Sequence, residues 1–395
     1  MSGDRPRRAD LAAFPPTADA RIERIYHQWT QGRLREPGVV REAAGGGPEL
    51  DVLVELVPHA APPPFLRLAR ADHGARVRAA AAPVQALERL SRHPAVVRLE
   101  AARRLRPQLA YSIPELRADP PTLAAASPSR PACTGAGVVI GVVDVGCDVA
   151  HPNFRNPDQS SRILHLWRQG APPSPESPPE FGYGKAYDRT AIDAALAAGD
   201  PYGPLLGSVK PRPASHGTHV LDIAAGGGQA PGTHAGVAPG ADIVFVDVAP
   251  DVDREEDLGS SARLLHAALY VFLKAEALGR AAVVNISLGG FGGAHDGTSL
   301  VDRGLADLLD RPGRAITIAA GNAFEANCHA AGEIRPRTSR SLTWIVQPQD
   351  ETGNELEVWY AGGPLDIFLT EPNAGFELGP VALDAAPAVF DLGGL

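Results

Sequence analysis

Apolar and polar residues alternate along the first third of the chain, as half-buried strands require. Residues 50–57 show this alternation most clearly, and residues 75–79 and 95–100 repeat it over shorter stretches. Residues 85–91 have the apolar spacing of a short helix. Together these patterns predict a small α+β unit over residues 49–110.

A different pattern begins near Gly137, where apolar residues form continuous runs instead of alternating. Such runs are typical of strands buried on both faces of a sheet, and they occur at residues 138–143, 243–248, 281–286 and 315–319. Helical spacing separates them, at residues 217–225, 261–278 and 299–309. Strands that alternate with helices predict an α/β fold with a parallel sheet and helices on both faces.

The helical spacing stops after about residue 336. Residues 342–346, 356–360 and 366–369 instead predict consecutive short strands, and therefore part of an antiparallel β-rich insert domain over 337–395. The remaining boundaries follow from Pro-, Gly- and Ser-rich stretches. They predict a flexible N-terminal arm over 1–48, a linker over 111–134 and the α/β domain over 135–336.

The composition is that of an ordinary globular protein, and its net charge of −9 argues against a nucleic-acid partner. Residues 1–110 contain 18 Arg, no Lys and 12 acidic residues, a balance of +6, so the remainder carries −15. A contact in cis between a basic front unit and an acidic domain is one interpretation, and two unrelated surface compositions are the other. The three cysteines imply no disulfide framework. Without a signal peptide or an apolar run of spanning length, no membrane contact is expected and a cytoplasmic location is the default.

Three polar side chains stand where apolar runs or their neighbouring helices meet the carboxyl edge of the predicted sheet. Asp144 follows the first run, His216 opens a helix, and Asn322 follows the fourth run. A carboxylate, an imidazole and a carboxamide at one edge suit acyl transfer, with the imidazole as general base and the carboxamide as oxyanion donor. Taken singly, each has a structural alternative: a turn or cap for Asp144, a helix start for His216 and a turn for Asn322.

The segments around these residues resemble the subtilisin-like serine peptidases, the subtilases. The resemblance covers roughly residues 135–325 and rests on six segments in the family's order: Asp144-Val-Gly, His151-Pro-Asn-Phe, His216-Gly-Thr-His-Val, Gly236-Val-Ala-Pro-Gly-Ala, Asn285-Ile-Ser-Leu-Gly-Gly and Ala320-Gly-Asn. It implies a subtilisin-like fold, Asp144 and His216 as catalytic acid and base, and Asn322 in the oxyanion hole. It also implies that Ser287, Leu288 and Gly289 pair with the backbone of a polypeptide substrate.

The resemblance carries two further expectations and two departures. The unit at 49–110 resembles the family's propeptide, and calcium is common in the family, although no acidic loop of this chain allows a calcium or other metal site to be assigned. Val145 stands where the family usually has Ser or Thr, and Leu221 stands where a small Ala is usual.

The tripeptide Gly297-Thr-Ser resembles the family's nucleophile motif, but its context differs. Ser299 precedes Asn322 instead of following it, and Ser299-Leu-Val-Asp302 is a capping-box pattern. We therefore expect Ser299 to start a helix, and we expect the chain to stop before the family's serine segment.

The sequence thus predicts a serine-type endopeptidase that hydrolyses peptide bonds by an Asp/His/Ser relay and is incomplete as this chain. Two alternatives remain open. One is a catalytically dead, peptide-binding or regulatory protein on a subtilase scaffold. The other is a split enzyme whose serine lies on another chain.

Overall fold

The computed structural model describes residues 14–15, 17–34, 40–42, 47–68, 76–102, 106–107, 133–206, 215–231, 235–249, 260–323, 328–345, 356–371 and 376–381. The helices are α1 Ala20–Thr30, α2 Leu87–Ser91, α3 Arg189–Ala197, α4 Tyr202–Leu206, α5 His216–Ala225, α6 Ser261–Ala277 and α7 Leu300–Asp307. Short 3-10 turns cover Val84–Ala86, Pro152–Phe154 and Leu308–Asp310.

The strands of the N-terminal unit are β1 Val40–Glu42, β2 Pro48–Leu56, β3 Arg67–Leu68, β4 Val77–Pro83 and β5 Val96–Ala101. The strands of the rest of the chain are β6 Arg106–Pro107, β7 Val138–Asp144, β8 Ile163–Arg168, β9 Lys185–Asp188, β10 Asp242–Asp247, β11 Ala281–Ile286, β12 Leu288–Gly289, β13 Arg314–Ile318, β14 Ile367–Glu371 and β15 Phe376–Val381.

The central sheet has the strand order β13-β11-β7-β10-β8-β9, and only its pairing of β8 with β9 is antiparallel. Alternate residues of β7 enter different apolar clusters, because successive side chains of a strand point to opposite faces. Val139 and Val143 lie in one cluster with α6, and Val142 lies in another with α5. Helices therefore cover both faces, and the predicted α/β fold is confirmed.

The N-terminal unit is a five-stranded antiparallel sheet with α1 and α2 packed on it. The expectation of a flexible arm is wrong for α1, which the sequence analysis missed. Ile22 and Ile25 of this helix are fully buried, and the Asp19 side chain accepts a hydrogen bond from the Ile22 N–H at 2.9 Å. The predicted linker falls largely outside the described residues, which resume at Cys133.

The N-terminal unit contacts α6 and α7 through acidic side chains. Glu55 receives two hydrogen bonds from Arg303, at 2.8 and 3.0 Å, and Asp51 accepts one from the Ser260 hydroxyl at 3.1 Å. Glu100 accepts from the N–H of Leu300, the first residue of α7. The two units therefore do meet in cis, but the charge pattern is the reverse of the one expected from net charge.

Loss of the Arg303–Glu55 pair is expected to weaken this contact measurably. The Glu55 side chain is buried, so Arg303→Met leaves a carboxylate with only Arg76 beside it, and we expect a loss of about 1–3 kcal/mol in urea unfolding. Arg311→Met is the control, because its pair with Glu276 is exposed and is expected to contribute under about 0.5 kcal/mol. Equal losses in the two variants would contradict the prediction.

The same pair gives this contribution a pH dependence. Burial alone would raise the pKa of Glu55, but the hydrogen bonds and charges of Arg303 and Arg76 outweigh burial and hold the pKa below its ordinary value of 4.5. The stabilisation is therefore fully present above that ordinary value, and it is lost as the pH falls through the lowered folded-state pKa.

Two of the three strands predicted near the C-terminus are wrong. The described residues of 342–346 and 356–360 form no strand, while 366–369 overlaps β14, which pairs with β15. The reason is that their apolar side chains find no covering layer within the described residues: Leu342 and Ile345 are each 71% exposed.

Arg162 is a buried guanidinium that ties three segments beside α5 together. It donates to the backbone carbonyls of Asn153, Ala225 and Ala241 at 3.0, 2.6 and 2.9 Å, and burial lowers its pKa. Because Ala225 ends α5, this contact caps the helix that begins at His216.

Arg162→Met is expected to lower the free energy of unfolding by about 3 kcal/mol, because buried carbonyls lose their donors. Urea unfolding measures this loss. Arg162→Lys keeps the charge without the branched donor geometry, so an intermediate loss is expected. A loss below about 1 kcal/mol in the methionine variant would contradict the capping role.

Candidate active site

Asp144 and His216 lie in direct contact at the carboxyl edge of the central sheet. Asp144 ends β7, and His216 is the first residue of α5. The Nδ1 atom of His216 lies 2.7 Å from Oδ1 of Asp144, the distance of a charge-assisted hydrogen bond. The structure therefore brings together two of the residues that the sequence analysis selected.

The pair is positioned by close packing of α5 against the loop that follows β7. The Gly217 N–H donates to the Val145 carbonyl at 2.9 Å. A Cβ atom at Gly217 would lie 2.4 Å from the Gly146 carbonyl oxygen, so only glycine permits this approach. Steric exclusion of any side chain therefore explains why a glycine follows His216.

Asp144 is buried, and its two carboxylate oxygens differ in their surroundings. Oδ1 accepts from the Val145 N–H at 2.7 Å as well as facing His216. Oδ2 has no hydrogen-bond partner among the described residues. Burial raises the pKa of Asp144, and the hydrogen bond and charge of His216 with the Val145 N–H offset only part of that rise. The apolar Val145 side chain offers no hydroxyl to Oδ2.

The other ring nitrogen of His216 is ready for proton transfer. The Nε2 atom is buried and has no hydrogen-bond partner among the described residues, while about a quarter of the side chain remains exposed. When Nδ1–H donates to a carboxylate, the neutral ring carries its lone pair on Nε2. This arrangement lets the imidazole accept a proton from a hydroxyl placed beside Nε2.

The Ser299 hydroxyl is engaged at its own helix terminus, and the expected N-cap is confirmed, with the Asp302 carboxylate reaching back to the Ser299 hydroxyl. Its Oγ accepts from the Asp302 N–H at 3.2 Å and donates to the Asp302 carboxylate at 2.7 Å. Ser299 is the N-cap residue of α7. Its hydrogen-bonding capacity is therefore used within its own helix terminus.

The remaining site candidates follow the strands that lie beyond β7 in the sheet. Ser287 is buried and accepts from the Asn285 side chain at 3.0 Å, and Leu288 and Gly289 form β12. Asn322 is exposed and lies four residues beyond β13. They share the carboxyl side of the parallel strands with Asp144, because β11 lies between β7 and β13.

β12 is paired with another part of the same chain. β6 runs antiparallel to it, with Leu288 opposite Pro107 and Gly289 opposite Arg106. The segment that follows the N-terminal unit therefore lies as an added strand on the residues expected to bind substrate.

One acidic residue beside the pair was missed by the sequence analysis. Asp247 ends β10, is buried, and is the register partner of Asp144. Burial raises its pKa, and the charge of Asp144 contributes to that rise. An acidic residue at the end of a buried run was the available signal, the same one that selected Asp144.

No group of three or more His, Cys, Asp and Glu side chains that could hold a metal ion occurs in the described part of the chain. The same part of the chain contains no helix that is long and apolar enough to cross a membrane.

The fold and the pair together define a class: an α/β protein with a carboxylate–imidazole pair at the carboxyl edge of a parallel sheet. The model of the subtilase family of peptidases (Peptidase_S8) matches residues 135–345, more than half of the chain. The chain belongs to the subtilase family.

Comparison with known proteins gives the same family. The chain is 32% identical over 155 residues to the subtilisin-like protease PopC of Myxococcus xanthus, a match that covers 39% of this chain and 25% of that protein. The chain thus matches about a quarter of this relative's length.

Two solved structures are similar to parts of this chain. The CspB protease of Clostridium perfringens is 25% identical, with a TM-score of 0.43 over 52% of this chain and 40% of that one. Fervidolysin of Fervidobacterium pennivorans, described as a keratinolytic enzyme related to subtilisin, is 15% identical, with a TM-score of 0.42 over 73% of this chain and 43% of that one.

Proposed function

We propose that this chain supplies the general acid–base pair, Asp144 and His216, of a serine-type endopeptidase. Asp144 holds the Nδ1–H of His216, and His216 takes a proton from a serine hydroxyl at Nε2 and returns it to the leaving amine. The observation that carries the proposal is the 2.7 Å contact between Nδ1 and Oδ1, with Nε2 buried and without a hydrogen-bond partner among the described residues.

The proposal extends to the substrate and the oxyanion. A polypeptide in extended form pairs with Ser287, Leu288 and Gly289, and the Asn322 side chain donates to the oxyanion of the tetrahedral intermediate. The antiparallel pairing of β6 with β12 supports the first point, because it demonstrates that this edge accepts a strand.

The N-terminal unit acts as a propeptide-like inhibitor in this proposal. Its acidic side chains dock on α6 and α7, and the β6 segment beyond it lies where the substrate backbone binds. The whole chain therefore blocks its own substrate-binding strand, β12.

A second candidate is a catalytically silent, peptide-binding or regulatory protein. The observation in its favour is that no described hydroxyl meets Nε2 of His216, while the strand-binding edge is formed. Such a protein binds extended peptides without turnover.

Fluorophosphonate labelling of the whole chain, with the modified residue located by mass spectrometry, separates the two candidates. His216→Ala and Ser299→Ala are the matched variants. Label on a serine other than Ser299 that disappears in His216→Ala supports the endopeptidase with its nucleophile in this chain. Label on Ser299 would contradict the capping assignment. A folded chain that binds an extended peptide but takes no label, even when the contact of the N-terminal unit is weakened by Arg303→Met, supports the second candidate.

A further inference from the structure

Helix α4 belongs to a segment between β8 and α5 that no motif of the sequence pointed to. Its Leu205 and Leu206 are buried in one apolar cluster with Cys147, from the loop after β7, and with Leu221 of α5. The helix therefore shares an apolar cluster with both elements that carry the Asp144–His216 pair. Leu221, the larger residue where the family usually has Ala, is fully buried in this cluster.

A chain of short hydrogen bonds runs from α4 to the residues on either side of His216. The Tyr202 hydroxyl donates to Oδ1 of Asp148 at 2.6 Å, and the Asp148 N–H donates to the Thr218 hydroxyl at 2.8 Å. The Thr218 and Ser215 hydroxyls lie 2.6 Å apart. Ser215 and Thr218 flank His216, and Asp148 lies four residues after Asp144. This series of hydrogen bonds therefore connects the loop after Asp144 with the start of the helix that carries His216.

Further hydrogen bonds hold α4, and with it Tyr202, in place. Asp200 accepts from the N–H groups of Tyr202 and Gly203, each at 3.2 Å, and Arg168 donates to the Leu205 carbonyl at 3.2 Å. Arg168 ends β8, so α4 is attached to the sheet as well as to the loop. Because α4 is held in this way, the Tyr202 hydroxyl can in turn restrain the position of its acceptor, Asp148.

The Tyr202 hydroxyl remains a donor throughout the physiological pH range. Burial raises the pKa of Tyr202, and the hydrogen bond to Asp148 and its negative charge raise it further. The groups that face it are Asp148, Arg155, whose charge has a smaller opposing effect, and Cys147, which adds slightly to the rise in pKa. The bond from Tyr202 to Asp148 therefore does not switch with pH near neutrality.

We infer that Tyr202 is a positioning residue, which holds Asp148 and Thr218 so that the Asp144–His216 hydrogen bond keeps its geometry. This inference rests on the proposed function, because it gives a task to the pair. It also gives α4 a role at the active site, in addition to its place in the core.

The test is the solvent-exchange rate of the His216 Nδ1 proton, measured by NMR on the whole chain with labelled histidine. Tyr202→Phe is expected to raise this rate about tenfold, because the loop and α5 separate more often once the hydroxyl is lost. The exchange of the Val142 amide in β7 is expected to stay unchanged, which distinguishes local loosening from global destabilisation. Tyr187→Phe is the matched control, since it removes a hydroxyl beside the same apolar cluster but leaves the Tyr202–Asp148 bond in place.

Variants at Asp148 complete the test. Asp148→Asn keeps an acceptor for Tyr202, so a rate near that of the wild type is expected. Asp148→Ala also removes the acceptor of the Ala150 N–H, so it is expected to raise the rate at least as much as Tyr202→Phe, with no further increase in the double variant. Wild-type exchange in Tyr202→Phe, or fully additive effects in the double variant, would overturn the inference.

The outcome for the proposed function can be separated from this result. Absence of a hydrogen-bonded His216 Nδ1 proton in the wild type would count against the catalytic pair. The exchange of the Asp148 amide would still report on the Tyr202 tether, and Tyr202→Phe is expected to accelerate that exchange as well.

Discussion

Asp144→Asn is expected to disable His216 and to stabilise the fold at the same time. The Asn amide can donate to Nδ1, which then holds the lone pair, and the neutral ring carries its proton on Nε2 instead. A ring of that tautomer cannot accept a proton from a serine, so any His216-dependent hydrolysis or labelling is expected to fall by about 10⁴-fold.

The stability half of this prediction follows from burial. Because burial raises the pKa of Asp144, its ionised form destabilises the fold at neutral pH, and this penalty is relieved as the pH falls through the raised pKa. The asparagine variant has no such penalty, so its free energy of unfolding at pH 7 is expected to exceed that of the wild type by about 1 kcal/mol. Urea unfolding across the acidic range measures this, and a variant less stable than the wild type at pH 7 would contradict the account.

Gly217→Ala is expected to lower the free energy of unfolding by about 2–3 kcal/mol, even though alanine favours helices. The added methyl would meet the Gly146 carbonyl oxygen at 2.4 Å, the Phe245 ring at 2.7 Å and the Val145 carbonyl oxygen at 2.9 Å. Two of these neighbours are backbone atoms of the loop after Asp144, so relief requires α5 to move away from Asp144. The hydrogen-bonded Nδ1 proton signal of His216 is therefore expected to disappear.

Gly304→Ala in α7 is the matched control. Its methyl would meet Leu265 side-chain atoms at 2.9 and 3.2 Å, and the end of a leucine side chain can rotate aside. The expected change is within about 1 kcal/mol, with the His216 signal retained. Equal effects of the two substitutions would show that the close approach of Gly217 to the loop is not what positions the pair.

The central sheet and the position of Asp144 at its carboxyl edge were predictable, because strands buried on both faces appear in the sequence as continuous apolar runs. The run at residues 138–143 became β7, and the polar residue that ends it proved to be in contact with His216. The cap at Ser299 was equally predictable, because a capping box is a local pattern that needs no tertiary information.

Features that depend on tertiary packing were not predictable in the same way. Helix α4 is only five residues long. It is connected to the site by the hydrogen bond from Tyr202 to Asp148, which lies 54 positions away in the sequence. Helix α1 did carry a helical apolar spacing, but its Arg- and Pro-rich surroundings favoured an arm. Its stability comes from packing on β5 and α2, which local spacing does not reveal.

Net charge misled the prediction about the contact between the two units. The N-terminal region is basic overall, yet Asp51, Glu55 and Glu100 make the contact with α6 and α7. Helix N-termini and Arg303 select acidic partners locally, and net charge does not report where on a surface the charges lie.

The most direct test of the central claim is the tautomer of His216, read from the ¹⁵N chemical shifts and couplings of its ring in the whole chain. The account predicts a neutral ring with its proton on Nδ1, hydrogen-bonded to Asp144, and a lone pair on Nε2. A neutral ring protonated on Nε2 would contradict it, since such a histidine cannot act as the base of a serine peptidase.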